Sequence, residues 1–387
     1  MSELLTFDTD FIDQAVPLAA GQPLHVLRRE RPKIVAATQA SQQAMFGDAV
    51  SGLTRRERLA VALHVSRLGQ ATRLAGLYEQ VLLADGAEPG WVETLAHTAE
   101  PRLRTLLHFA TTLTLRPIEG DRQAIETLQA AGLTPATTVA LAQLVAYLSY
   151  QLRLVAGLQA LAAAGPASEL RSEPPQALNT PQTVTAQPAQ APALRINGFT
   201  TATLGWAPWV PPVEIDQASP EQLAAIDAMS STARQSTYFR LLAHQPALLL
   251  QRSIAFNAIM FAPGGLSRAE RELGATVESR LNGCVYCTAV HAQRFEQLSK
   301  RNDVLRQLFE QPEGAGTTPR ERALVAFSAQ LGLQPETLGA ADVHALRATG
   351  LDDREVLDLI HAVALFAWAN RLMLNLGEAV WPREALA

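Results

Sequence analysis

The chain has 387 residues, a net charge of -5 and 48% hydrophobic residues, which is enough for two ordinary domains that each bury a core. Arginine and lysine form no basic run, so neither nucleic acid nor a membrane is favoured as a partner. The acidic N-terminal residues lack the basic and apolar regions of a secretory signal, which predicts a cytoplasmic protein.

Helical periodicity dominates the chain from its beginning to its end. Apolar residues recur at i, i+3, i+4 and i+7, and several segments open with a capping box or a proline. No run alternates well enough to predict a sheet. The apolar stretch from Leu359 to Leu376 is interrupted by polar residues, which predicts a buried helix and not a membrane span. The fold class is therefore all-α, with helices predicted over 56–68, 101–115, 135–161, 320–333 and 354–376.

An internal repeat organises these helices into two halves. The segment Leu53–Arg58 (LTRRER) corresponds to Leu266–Arg271 (LSRAER), and the alignment continues without a gap through the helix that follows. After a short insertion in the second half, it resumes as far as Arg153, which corresponds to Arg371. Each half is therefore predicted to be one domain of the same kind.

A change in composition marks the boundary between the halves. Residues 165–192 are rich in Pro, Ala, Gln, Ser and Thr, which predicts an extended, mobile linker. We therefore predict a helical domain over 1–164, a linker over 165–197 and a second helical domain over 198–387.

The only two cysteines of the chain lie in one CxxC in the second half. Asn282-Gly283 is a strong helix-ending pair, because glycine tolerates the left-handed conformation that closes a helix. It places Cys284 in the first turn of the next helix, at the positive end of the helix dipole. Cys284, Cys287 and His291 then share one helix face, since their i, i+3, i+7 spacing falls within roughly 60°.

A carboxylate is predicted to lie opposite this face. The preceding helix opens with a capping box at Ser267 and Glu270, and antiparallel packing would place Glu272 about 15 Å below the turn, close to the depth of His291. The two side chains could then share a proton, directly or through a water. We expect Cys284 to be outermost, Cys287 deeper, His291 beneath it and Glu272 innermost.

Such a stack suits peroxide reduction. A helix N-terminus or an adjacent histidine lowers a thiol pKa, and a second thiol resolves the sulfenic acid as a disulfide. The pattern Glu-x11-Cys-x2-Cys-x3-His resembles the active-site signature of the alkylhydroperoxidase D-like branch of the carboxymuconolactone decarboxylase superfamily. One departure is Tyr286, which stands between the cysteines where the best-known members carry a second histidine.

The resemblance implies a thiol peroxidase that needs no cofactor and no metal. It makes Cys287 the peroxidatic thiol, Cys284 the resolving thiol, and His291 with Glu272 the proton relay. Organic hydroperoxides or hydrogen peroxide would be the substrate, and a dithiol protein, thioredoxin-like or lipoyl-bearing, would be the reductant. Family members are helical homo-oligomers, so self-association is expected here. Tyr286 and His361 are further pocket candidates, although packing or core roles are the simpler interpretations for both.

The first half has no residue of this chemistry at the corresponding positions. The repeat alignment replaces the carboxylate, both thiols and the imidazole by largely apolar side chains: Leu59, Ala71, Leu74 and Tyr78. We therefore interpret the first half as a structural or interface copy, standing in for one protomer of an ancestral homodimer.

Other interpretations use the same residues. Cys284, Cys287 and His291 could supply three ligands to zinc, but no fourth ligand is evident nearby. Cofactor-free decarboxylation or isomerisation, as in other members of the superfamily, does not need the CxxC. A redox sensor or disulfide-exchange protein without peroxide turnover would share the same thiols. Trp206 and Trp209 are expected to pin the end of the linker to the second domain.

Overall fold

The computed structural model of the protein describes residues 9–167 and 192–382. Before the gap it is built from helices. The helices there are Phe11–Ala15 (α1), Pro23–Arg29 (α2), Pro32–Phe46 (α3), Arg55–Leu68 (α4), Thr72–Ala84 (α5), Pro89–Glu93 (α6), Pro101–Leu115 (α7), Arg122–Ala130 (α8) and Pro135–Ala163 (α9). The predicted linker over 165–197 lies mostly outside the described residues.

After the gap the chain is again almost entirely helical. Two short antiparallel pairs flank the helices: Arg195–Ile196 (β1) pairs with Phe199–Thr200 (β2), and Gly205–Pro208 (β3) pairs with Gly377–Val380 (β4). The all-α class predicted from the sequence is confirmed. The helices are Pro220–Asp227 (α10), Thr237–Leu242 (α11), Pro246–Met260 (α12), Arg268–Leu281 (α13), Val285–Ser299 (α14), Asp303–Glu310 (α15), Pro319–Leu333 (α16), Ala340–Arg347 (α17) and Asp353–Asn375 (α18).

Helix starts follow the capping signals in the sequence. The α4 and α13 helices both begin at a capping box, in which a hydroxyl accepts from the N3 amide and the N3 carboxylate accepts in return. Both helices have 14 residues, while α7 and α16 both have 15 and begin with proline. These two pairs of helices therefore have equal lengths at positions that the sequence alignment makes equivalent.

The two halves pack against each other through corresponding helices. The α9 helix lies along α18, and α3 lies against α12. Arg371 donates to the carbonyl of Thr114 at 3.2 Å, and its counterpart Arg153 donates to the carbonyl of Gly332, which is the counterpart of Thr114. Contacts between equivalent surfaces are the mark of a two-fold relation. Within the described residues, these contacts join positions that the sequence alignment makes equivalent.

The two longest helices form the centre of this arrangement. By length and composition α9 and α18 could each cross a membrane, but 94% and 100% of their most apolar windows are buried inside the protein. Trp368 of α18 donates its indole N–H to Gln143 of α9 at 3.0 Å. Apolar residues occupy most faces of both helices, and neighbouring segments bury them on nearly every side.

Candidate functional site

The turn between α13 and α14 sets the position of the first cysteine. The α13 helix is capped by Asn282, and Gly283 adopts a φ of +74°, a left-handed conformation that a side chain would strain. Cys284 is the N-cap of α14, and its amide donates back to the carbonyl of Ser279 at 2.9 Å. The Ile118 side chain from the first half lies over Gly283, where an added Cβ would meet it at 2.7 Å.

The antiparallel packing of α13 on α14 brings the predicted carboxylate and imidazole into direct contact. Nδ1 of His291 lies 2.5 Å from Oε2 of Glu272, which is fully buried. The other oxygen of Glu272 accepts from the guanidinium of Arg268, one helical turn earlier. Burial acts to raise the pKa of Glu272, but the hydrogen bond and charge of His291, together with Arg268, outweigh it and lower that pKa.

The two cysteines are free thiols in a small cluster of their own. Met373 of α18 is buried with them, and Trp206, Tyr238 and Tyr286 pack against the group. A hydrogen bond to Cys284 and burial both raise the pKa of the Cys287 thiol well above its usual range, while the charge of Arg252 lowers it. In these surroundings the neutral thiol of Cys287 is favoured over the thiolate.

The prediction that Cys284 lies further out than Cys287 is wrong. Its side chain is 1% exposed, against 4% for Cys287. The N-terminus of a helix is exposed only when no other segment of the chain packs over it. Here Trp206, at the start of the second half, donates its indole N–H to the carbonyl of Met373 at 2.8 Å, and the pairing of β3 with β4 holds that segment over the thiols.

The two remaining candidate residues lie in different surroundings. Tyr286 is half-buried against the thiols, and burial together with Cys287 raises the pKa of its hydroxyl. His361 is buried elsewhere on α18, about 18 Å from Met373 along the helix axis at the usual rise per residue. The charged side chains that act on His361 are Asp358, Arg28, Arg31 and Arg271. The structure therefore places Tyr286, and not His361, at the thiols.

Two arginines of the site were not predicted. Arg268 stands one turn before Glu272, and this i, i+4 spacing is a usable signal for an ion pair on one helix face. Arg252 stands alone in the apolar run of α12, and a lone charge in such a run is the only sequence signal that it gives. Its side chain lies over the Tyr238 ring, 5.5 Å from the centroid.

A protein site for a metal ion groups several His, Cys, Asp or Glu side chains. Within residues 9–167 and 192–382, no three His, Cys, Asp or Glu side chains are grouped as metal ligands. Nδ1 of His291 is already engaged by Glu272. The arrangement is therefore a dithiol with an adjacent carboxylate-imidazole pair.

The fold and the site define a helical protein with a paired-cysteine centre. Residues 247–330, which contain α13 and α14 and therefore all four predicted catalytic residues, match the model of the carboxymuconolactone decarboxylase family. This match assigns residues 247–330 to the superfamily of carboxymuconolactone decarboxylases and alkylhydroperoxidase D-like proteins, as the motif resemblance predicts.

Two solved structures are similar to part of the chain. An uncharacterised peroxidase-related protein from Silicibacter sp. TM1040 is 24% identical, with 42% of this chain and 87% of that chain covered and a TM-score of 0.36. An uncharacterised peroxidase-related protein with an alkylhydroperoxidase AhpD core, from Ralstonia eutropha JMP134, is 26% identical, with 42% and 85% covered and a TM-score of 0.37. A comparison with curated proteins finds no match.

Proposed function

We propose that this protein is a thiol peroxidase of the alkylhydroperoxidase type. The observation that carries the proposal is the contact of Glu272 with His291, one helical turn beyond a free thiol pair. With Nδ1 engaged, His291 has Nε2 left to take a proton, and this atom has no hydrogen-bond partner within the described residues. His291 follows Cys287 by one turn on α14, the spacing at which side chains of one helix face meet.

The reaction divides into three steps: attack on the peroxide, formation of the disulfide and its reduction. His291 takes the proton of Cys287, and the thiolate attacks the distal oxygen of a hydroperoxide, which breaks the O–O bond. The alkoxide leaves with the relayed proton as an alcohol, and Cys287 becomes a sulfenic acid. The Cys284 thiol then displaces its hydroxyl as water, which forms the Cys284–Cys287 disulfide. A dithiol reductant restores the pair and is itself oxidised to a disulfide.

Burial of both sulfurs favours this order of events over direct disulfide exchange with a protein. Peroxide is small, whereas a protein dithiol must approach a sulfur along the S–S axis, and both cysteines are covered by Trp206 and Tyr238. The reductant must therefore be slender, as a lipoyl arm is, or must act after this cover opens. A cytoplasmic location and a reducing environment belong to the same proposal.

Peroxide consumption in the presence of a small dithiol tests the proposal. The intact chain should turn over. Cys284→Ser should react once and accumulate a sulfenic acid at Cys287, detectable by mass spectrometry with a sulfenate trap, and Cys287→Ser should not. If peroxide instead modifies Cys284 of the Cys287→Ser protein as fast as in the intact chain, the roles of the two thiols are reversed. If neither the intact chain nor any variant consumes peroxide, the proposal fails.

A second part of the proposal concerns assembly. The two-fold packing of α9 on α18 suggests that the fused halves take the place of a dimer of single repeats, and further self-association would combine such fused units. Light scattering after size-exclusion chromatography gives the number of chains in the particle. A strictly monomeric protein would contradict the expected homo-oligomer and leave the internal two-fold arrangement unaffected.

A further inference from the structure

Arg252 is a buried cation that lacks an acidic partner within the described residues. It projects from α12 with 7% of its surface exposed, and Nε is buried without a hydrogen bond there. Its guanidinium contacts aromatic faces, 5.5 Å from the centroid of Tyr238 and 5.7 Å from that of Phe256. A buried charge is costly unless an opposite charge or strong hydrogen bonds compensate it.

Three other arginines of this half are compensated. Arg268 is paired with Glu272, Arg271 with Asp358, and Arg320 with Glu270. Arg252 differs from these three, because the described part of the chain surrounds its guanidinium with rings. An anion that forms nearby would be stabilised by this charge more than by the other three, since those are already neutralised.

The aromatic residue under Arg252 connects it to the thiols. Tyr238 packs against the cluster of Cys284, Cys287 and Met373, and it meets Trp206 edge to face at 5.6 Å between centroids. Its hydroxyl is buried and has no hydrogen-bond partner within the described residues. Burial raises the pKa of Tyr238 to about 12, while the charge of Arg252 lowers it, so this hydroxyl stays protonated at neutral pH and can donate to an anion.

We propose that Arg252 is the positioning cation that stabilises the thiolate of the Cys284–Cys287 pair, with the Tyr238 hydroxyl as a donor to the same anion. This inference deepens the proposed function and rests on it. The negative charge of the thiolate compensates the positive charge of Arg252. Arg252 in turn lowers the free-energy cost of ionising a thiol in an apolar cluster. His291 and Glu272 take the proton, whereas Arg252 stabilises the charge that remains.

The electrostatics of the cluster agree with this division. Cys284 and burial both raise the pKa of Cys287, and the charge of Arg252 lowers it. The other titratable groups that act on Tyr238 from the packed elements are Cys287, Tyr286 and Cys284, all of which become anionic or stay neutral. Arg252 is the cation that acts on both Cys287 and Tyr238.

The test is a titration of the reduced protein, followed by the ultraviolet absorbance of the thiolate and by the rate of alkylation with iodoacetamide. Replacement of a cation close to an ionising group shifts its pKa by about one unit or more. Arg252→Met should therefore raise the midpoint of thiolate formation by about one pH unit, which is about tenfold less thiolate below the midpoint. Arg252→Lys should keep the midpoint close to that of the intact chain, because the positive charge is retained.

Arg280 provides the matched control. Its guanidinium also lies over an aromatic ring, 4.1 Å from the centroid of Phe199, in the same half of the chain. Arg280→Met should shift the midpoint much less than Arg252→Met does. An equal shift in both variants, or no shift in Arg252→Met, would overturn the proposal. Circular dichroism checks folding, and Arg252→Gln, which keeps a polar group there, replaces Arg252→Met if that variant does not fold.

The titration does not depend on turnover. If the intact chain consumes no peroxide but Arg252→Met raises the thiolate midpoint, the proposed function fails and the role of Arg252 stands. If the intact chain consumes peroxide but the midpoint and the alkylation rate of Arg252→Met are unchanged, the role of Arg252 fails and the peroxidase stands. Tyr238→Phe should produce a smaller upward shift, since it removes one donor and leaves the charge.

Discussion

The helix pair α4 and α5 in the first half corresponds to the pair α13 and α14 in the second. The two pairs differ in how fully their buried polar groups are hydrogen-bonded. In the second half, the thiols, the Tyr238 hydroxyl and one ring nitrogen of His291 have few or no partners within the described residues. In the first half, Tyr78 stands at the position that corresponds to His291. Its hydroxyl donates to Gln151 at 2.6 Å and also lies 3.4 Å from Gln42.

The first half closes this region with a polar network and an aromatic cover. Tyr147 donates to Gln42 at 2.9 Å, and Gln151 donates to the same oxygen at 2.8 Å. The Phe11 ring of α1 packs on Tyr78 with 5.1 Å between centroids. These polar groups bond to one another, which leaves them unavailable to a substrate. The comparison teaches that the same helix pair becomes a core when its buried polar groups are all bonded to one another, and a candidate site when some of them, such as the Tyr238 hydroxyl, stay without a partner within the described residues.

The largest expected effect comes from making the second half resemble the first. Glu272→Leu introduces the residue found at position 59 and removes the partner of His291. Peroxide consumption with a small dithiol should fall by about 10² to 10⁴, the usual contribution of general acid-base catalysis. Peroxide consumption by Glu272→Gln, which keeps the shape of the side chain, should fall nearly as far. The control Leu59→Val should keep the rate, and a large loss there would show that the first half takes part in the chemistry.

Arg153 and Arg371 occupy corresponding positions but should differ in their contribution to stability. Arg153 forms an ion pair at 3.4 Å with the buried Glu278, whereas Arg371 donates to carbonyls such as that of Leu113 at 2.7 Å. Arg153→Met leaves a buried carboxylate without its cation, at about 3 to 5 kcal/mol. Arg371→Met leaves carbonyl acceptors without a donor and removes the charge of Arg371 from the vicinity of Glu278, which keeps its ion pair with Arg153, so the cost should be about 1 to 3 kcal/mol. Urea unfolding measures both, and an equal cost would contradict the difference.

Two tyrosine substitutions distinguish the hydrogen-bonded network of the first half from the candidate site of the second. Tyr78→Phe removes a hydroxyl that is bonded to two glutamines, and it should lower the free energy of unfolding by about 1 to 3 kcal/mol without changing peroxide consumption. Tyr238→Phe removes a buried hydroxyl that has no partner within the described residues, so it should cost little stability and should slow the thiol chemistry. The reverse pattern in urea unfolding and peroxide assays would remove the distinction between the two regions.

Much of this architecture is predictable from the sequence, because it depends on local signals. Capping boxes and prolines locate α4, α13 and α16, and the 3.6-residue period identifies the helix faces. The contact of Glu272 with His291 follows from helix spacing and a turn at Gly283. The cover over Cys284 could not be predicted in the same way, because Trp206 and Tyr238 reach it through tertiary packing from distant segments. Arg252 was missed for the same reason.

The effect that is smallest at neutral pH concerns His361, whose counterpart in the first half is Gln143. Burial lowers the pKa of His361 to about 3, and both ring nitrogens lack hydrogen bonds within the described residues. In the unfolded chain this pKa returns to its ordinary value of 6.5. Between these two values the unfolded state binds the extra proton, so stability falls as the pH falls below 6.5.

His361→Gln should therefore change little at pH values above the unfolded pKa and should make the protein more resistant to acid. The slope of the unfolding free energy against pH should decrease by about 1.4 kcal/mol per pH unit on the acid side. Glu272, whose pKa is lowered in the folded state, contributes acid sensitivity of the same sign, so some slope must remain in the variant. Urea midpoints across the acid range measure the slope, with His108→Gln, on the exposed face of α7, as the control. An unchanged slope in His361→Gln would show that this imidazole already binds its proton in the folded protein. The charge of Asp358 would then outweigh burial and the charges of the nearby arginines.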